Sequence, residues 1–236
     1  MSGESHAGAG LLGVFGGSFN PVHLGHLRAA EQVIELLGLE RMLFVPAADP
    51  PHKRDDGLAP AALRLAWVRR AVAGNKRFEV DALELERGGP SFSVDTLREL
   101  GARVAPARPV FVVGADALAE LGSWREPEAL LRLAHLAVMA RPTPDDGAAA
   151  PGAPGPLERR FPPSLAAAFA FDPGGRSARH RSGDTWARWL AIEPLDISAT
   201  DVRARLRAGR SVRYLVPEAV HDAIVESRVY AEGGAV

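Results

Sequence analysis

Apolar residues follow two rhythms along this chain. Short apolar runs predict buried strands at Leu11, Leu12, Val14 and Phe15, at Met42 to Val45, at Val110 to Val113 and at His135 to Met139, with a further strand over Phe78, Val80, Ala82 and Leu83. Between them the spacing turns helical. Leu27, Ala30, Ile34 and Leu37 mark a helix over Leu24 to Leu37 with Gly38 as its stop, and Leu63, Ala66, Trp67, Arg70 and Ala71 mark the next. Ser93 is the expected cap of a helix running to about Leu100, a short helix follows Asp116, and another covers Pro127 to Leu133. Strands separated by helical crossovers require a parallel sheet covered on both faces, so the pattern predicts a doubly wound, mostly parallel α/β fold in a single domain over 11–230.

Between about 143 and 185 both rhythms stop. The segment is rich in alanine, proline and glycine, and it reads as an insertion, partly disordered or packed as a surface excursion, within which no second globular domain is expected. Regularity returns at Trp189 to Ile192. Ser198 then offers an N-cap, Ser198 with Asp201 fits the S-x-x-D capping box, and Pro217 suits the first position of a last helix. Residues 1–10 and 231–236 read as tails, the first of them disordered.

Composition narrows the chemistry. A net charge of −1 gives no global basic field for nucleic acid or an anionic membrane, while small anions remain suitable ligands. The absence of cysteine excludes disulfides, thiolate nucleophiles and thiolate-held metals. Without a signal-like N-terminus or a long apolar run, the expected compartment is the cytoplasm.

The candidate chemistry begins at GVFGGSFNPVHLGH, Gly13 to His26. A buried strand passes through Gly16 and Gly17, where main-chain amides can approach a ligand, and reaches His23 and His26 at the head of a helix whose N-terminus favours anions. Taken alone, two histidines three apart are more often incidental. Their place after a glycine turn reverses that reading, and the lack of a third ligand nearby argues against zinc. The glycines do not form G-x-G-x-x-G, no acid ends the second strand, and G-x-x-x-x-G-K-[ST] is missing, so neither a dinucleotide site nor a P-loop fits. Other polar candidates also follow strands: His52 and Lys53 in PAADPPHK, Asp116 after Gly114, and Arg141.

GGSFNPVHLGH together with the downstream ISATDVR resembles the nucleotidyltransferase superfamily marked by H-x-G-H and S-x-T-x-x-R, which has a Rossmann-like fold. Within it, PAADPPHK, SFSVDTL, the Gly114–Asp116 segment, Ser123-Trp124 and Arg141-Pro142 resemble the bacterial nicotinate-nucleotide adenylyltransferases. The resemblance spans about 11–142 and 189–230, and the Ala/Pro/Gly-rich segment departs from it. It implies joining of nicotinate mononucleotide to ATP, giving nicotinate adenine dinucleotide and pyrophosphate, with Mg²⁺ entering on the ATP phosphates and no metal site made by the chain. By the same resemblance His23, His26 and Arg203 carry the catalysis, with Gly25 keeping the helix end open. Ile197, Ser198, Thr200 and Arg203 belong to the triphosphate site. Gly16, Gly17, Ser18 and Phe19, with Gly114 and Asp116, hold the adenosine portion. His52, Lys53, Ser93, Asp116, Trp124 and Arg141 surround the mononucleotide, Trp124 stacking on its ring. Another adenylyl- or cytidylyltransferase of the superfamily, or a nucleotide-binding module without turnover, would share the anchor motifs. Assembly into homo-oligomers is left open.

Overall fold

The computed structural model describes residues 10–51, 57–141 and 153–231. The expected tails therefore lie outside it except for Gly10 and Ala231, as do His52, Lys53 and the start of the Ala/Pro/Gly-rich segment.

Strands β1 (Leu12–Gly17), β2 (Arg41–Pro46), β3 (Phe78–Val80), β4 (Val110–Gly114), β5 (His135–Ala140), β6 (Phe169–Phe171), β7 (Ser177–His180) and β8 (Trp186–Ala191) form one sheet in the order β3-β2-β1-β4-β5-β8-β7-β6. The six strands from β3 to β8 in that order pair in parallel, and β7 and β6 continue antiparallel. Side chains alternate across a strand, so each apolar run feeds two cores. Phe15, Met42, Phe44, Val110 and Val112 point to one face, where they meet Ala30, Val33 and Ile34 of α1 (Leu24–Leu37), Trp67 and Val68 of α2 (Ala61–Val72), and Val220 and Ile224 of α10 (Glu218–Ser227). Leu12, Val14, Leu43, Val45, Phe111 and Val113 point to the other, against Leu97 and Leu100 of α4 (Ser93–Val104), Leu118 of α5 (Ala115–Glu120), and Leu130 and Leu131 of α6 (Pro127–Leu133). The doubly wound, mostly parallel architecture follows from that alternation.

Most predicted elements appear at nearly the predicted bounds, and Gly38 closes α1 in the left-handed region at φ 63°. Four expectations need correction. Ser93 is the first residue of α4; Phe92 occupies the cap and no side chain caps it. Val80 ends its strand, and Leu83 opens the short helix α3 (Leu83–Arg87) because Asp81 Oδ1 accepts the Leu83 amide at 2.9 Å and turns the chain. Pro217 is the cap of α10 rather than its first residue. The described part of the Ala/Pro/Gly-rich segment, finally, is ordered into α7 (Pro156–Arg160), α8 (Pro163–Ala166) and the β6–β7 hairpin, with Leu157, Phe161, Leu165 and Phe169 buried in the second core. Those few aromatic and leucine anchors suffice to join the sheet despite the surrounding small residues. Among the described residues no helix is long and apolar enough to cross a membrane.

Candidate functional site

The strand order turns outward in both directions from the β1–β4 pair, since β2 lies beyond β1 and β5 beyond β4. Such a switch point leaves a crevice at the carboxyl ends of the strands, the usual ligand position in open α/β sheets. The turn after β1 leads from it into α1. Phe19 sits there at φ 44° with its ring buried among Phe15, Phe44 and His26, the His26 centroid lying 5.2 Å away. A bulky residue at positive φ is strained, and the aromatic packing offsets that cost.

His23 caps α1, and its ring lies on His26 with centroids 3.7 Å apart. The His23 amide donates to Nδ1 of His26 at 3.2 Å, so a neutral His26 ring carries its proton on Nε2. His23 is 7% exposed, and burial pushes its pKa down to about 4, so the ring is neutral near pH 7. Its Nδ1 is buried and finds no hydrogen-bond partner among the described residues. A buried orphan of that kind costs about 1–3 kcal/mol, which a ligand can return.

α9 (Ala199–Arg207) closes the site from the far end of the chain. Ser198 caps it as expected, its Oγ accepting the Asp201 amide at 3.1 Å, and Asp201 pairs with Arg205 at 2.8 Å. Arg203 donates from Nη1 to the Asn20 carbonyl at 2.9 Å and from Nη2 to Thr200 Oγ1 at 3.4 Å. The H-x-G-H and S-x-T-x-x-R segments, about 180 residues apart in sequence, meet there. Gly25 is the contact point: a Cβ on it would lie 2.9 Å from His23 Nδ1 and 3.4 Å from the Ile197 carbonyl. Gly25→Ala is therefore expected to push the His23 ring aside, lowering turnover about tenfold or more while thermal melting changes little, since a misplacement on the order of 1 Å can cost about 10²-fold. Pyrophosphate release and a melting curve on the same preparation check this; wild-type turnover would contradict it.

On the other side of the switch point Ser93 and Trp124 line a small cleft with Pro51, Ser91, Phe92, Val94 and Arg125. Trp124 is half-buried and packs T-shaped on Phe111 with ring centroids 6.3 Å apart, and the Arg125 guanidinium lies 4.7 Å over the Phe92 ring. Gly114 caps α5, and Asp116 is exposed in its first turn. Arg141 stands apart from this cleft: it is exposed and pairs with Asp196 at 3.5 Å, next to Ile197 and Ser198. The structure thus groups Gly16 to Phe19, His23, Gly25, His26, Ile197, Ser198, Thr200 and Arg203 on one side and Ser93 with Trp124 on the other. Among the described residues no three His, Asp or Glu side chains converge on one point.

Three residues escaped the sequence reading. Asn20 is 5% exposed; its amide donates to the Gly57 carbonyl at 2.9 Å, and its Oδ1 accepts the Ala59 amide at 3.0 Å and the Tyr230 hydroxyl. Tyr230 is buried against Trp67, and burial pushes its phenol pKa up. Arg64 is wholly buried beside them. Of these, only Asn20 had a local signal, as a polar residue inside the glycine turn.

The cytidylyltransferase-like family model matches residues 14–205. The "probable nicotinate-nucleotide adenylyltransferase" of Geobacter sulfurreducens is 44% identical over 222 residues, covering 94% of this chain and 99% of that protein. The protein of the same name from Citrifermentans bemidjiense is 41% identical over 221 residues, covering 94% and 98%. Among solved structures, the fold matches a nicotinic acid mononucleotide adenylyltransferase from Plasmodium falciparum in complex with NaAD, at TM-score 0.66, 15% identity, 94% of this chain and 97% of that one.

Proposed function

The chain belongs to the nicotinate-nucleotide adenylyltransferases of the cytidylyltransferase-like family, and from that premise we propose that it transfers the adenylyl group of ATP to nicotinate mononucleotide, releasing pyrophosphate. The observation that carries the reading is the junction of two helix N-termini across Gly25 and the Ile197 carbonyl, with an aromatic cleft at Trp124 on the opposite side of the same crevice. One half suits a triphosphate and the other a pyridine ring.

In this reaction the mononucleotide phosphate oxygen attacks the α-phosphorus of ATP, the bond to the bridging oxygen breaks, and pyrophosphate leaves with the negative charge. The acceptor is its own nucleophile, so the protein contributes placement and charge neutralisation. His26 would donate from Nε2 to an α-phosphate oxygen, and neutral His23 would give a second donor, leaving no uncompensated cation in a buried site. Arg203, Ser198 and Thr200, with the α9 amides, would take the β- and γ-phosphates as their charge grows. The turn from Gly16 to Phe19, with Gly114 and Asp116, would hold the adenosine, and Trp124 would stack on the pyridine ring above Ser93. Asp201, the carboxylate in the first turn of α9, is engaged by Arg205 at 2.8 Å; Mg²⁺ would enter bound to the ATP phosphates and neutralise the leaving pyrophosphate.

The test is incubation of the pure protein with ATP, Mg²⁺ and, separately, nicotinate mononucleotide, nicotinamide mononucleotide or phosphopantetheine. Pyrophosphate release with the first is the expected result. No release with it, or faster release with phosphopantetheine, overturns the reading.

A further inference from the structure

Arg64 is fully buried on α2, and its described hydrogen bonds all end on main-chain carbonyls. Nε donates to Ala59 at 2.8 Å, Nη2 to Ala48 at 3.0 Å, and Nη1 to both Ser18 and Ala47 at 2.7 Å. Two carbonyls from distant parts of the chain thus converge on one nitrogen. The charge is not left alone in the core: Glu84, itself buried and accepting Thr96 Oγ1 at 2.6 Å, acts on it electrostatically. Burying a guanidinium is costly, and aliphatic packing would stabilise the fold equally well or better. What the guanidinium supplies instead is planar, multidirectional geometry.

That geometry joins the two halves of the crevice. Ser18 lies in the turn whose next residue, Phe19, packs on His26. Ala47 and Ala48 lie in the segment after β2, which continues to the cleft: Ser91 Oγ accepts the Ala48 amide at 2.9 Å and the Asp49 amide at 3.3 Å, and the Ser91 amide donates to Asp49 at 2.9 Å. Ser91 in turn lines the Trp124 cleft. One side chain therefore links the histidine turn to the aromatic cleft through bonded neighbours on both sides.

We propose that Arg64 is a positioning residue for adenylyl transfer: its guanidinium holds the turn before the histidine pair at a set distance from the wall of the Trp124 cleft, and so aligns the attacking phosphate with the one attacked. The proposal rests on the function given above. Arg64→Lys keeps the charge but replaces a planar fork by one ammonium nitrogen, which cannot reach all four carbonyls. The expected result is kcat lowered about 100-fold, in keeping with the cost of a misplacement on the order of 1 Å, while the dissociation constant for ATP alone moves less than about threefold. Hydrogen exchange should quicken together in 18–20 and 47–51. Where the lysine variant does not fold, Arg64→Met, of similar length and apolar, is measured the same way. A kcat within threefold of wild type overturns the proposal, as does loss of ATP affinity in proportion to kcat, which would make Arg64 a prop for the ATP turn alone. If wild-type protein releases no pyrophosphate with nicotinate mononucleotide, the function reading falls separately. Hydrogen exchange then decides for Arg64: loosening of both segments supports the link, and loosening of one alone overturns it.

Discussion

Replacing His26 with alanine is expected to lower kcat about 10²- to 10³-fold, the usual cost of removing one preorganised donor from a developing charge. The effect should fall on kcat more than on the Michaelis constant for ATP, because the proposed contact with an α-phosphate oxygen would strengthen as charge shifts toward the leaving group. The fold should survive. His26 is only half-buried, and the Phe15–Phe19–Phe44 cluster against which it packs remains complete. The loss of its ring also removes the acceptor of the His23 amide at 3.2 Å, so some loosening of the α1 cap accompanies it. Single-turnover rates beside a melting curve separate the two contributions. Turnover within tenfold of wild type would take the histidine pair out of the mechanism.

Arg203→Ala should be as damaging for a different reason. In the proposed reaction Arg203 would meet phosphate oxygens while its Nη1 holds the Asn20 carbonyl at 2.9 Å, so the substitution would remove a cation and free the turn at once. A combined fall in kcat/KM of about 10³-fold, or about 4 kcal/mol of transition-state stabilisation, is expected. Arg203→Lys is the sharper variant. A lysine ammonium restores charge but not the fork that serves Asn20, Thr200 and a phosphate together. Recovery to within tenfold of wild type by lysine, measured as kcat/KM for ATP, would show that charge alone matters.

Much of this arrangement was readable from the chain. Strands buried on both faces write themselves as apolar runs, and α1 and α6 carried their own punctuation at Gly38 and Pro127. The two motif segments were legible because glycine, histidine and cap residues have local reasons to sit where they do. Arg64 was not legible: on a helix it looks like any surface arginine, and its acceptors are carbonyls up to 46 residues away that no side-chain pattern marks. Tyr230 was hidden in the same way, its partner Asn20 lying 210 residues upstream. The β6–β7 hairpin was missed because three- and four-residue strands carry too few alternations to stand out from alanine, glycine and proline. Ser93 misled for a local reason. Serine is a good cap, yet main-chain geometry put Phe92 at that position and left the serine facing the cleft.

That hairpin has a bearing on how the molecule behaves among its own copies. Without it, the six-residue β8 would border the sheet, presenting a row of main-chain donors and acceptors on which another chain's strand can add. With it, among the described residues, the last strand on that side is the three-residue β6, and the opposite border is the equally short β3. A parallel sheet forms from segments distant in sequence and is exposed to misassociation while it does so. Ending it on both sides in strands too short to template a partner is a safeguard against aggregation, supplied here by the stretch of chain that looked least structured.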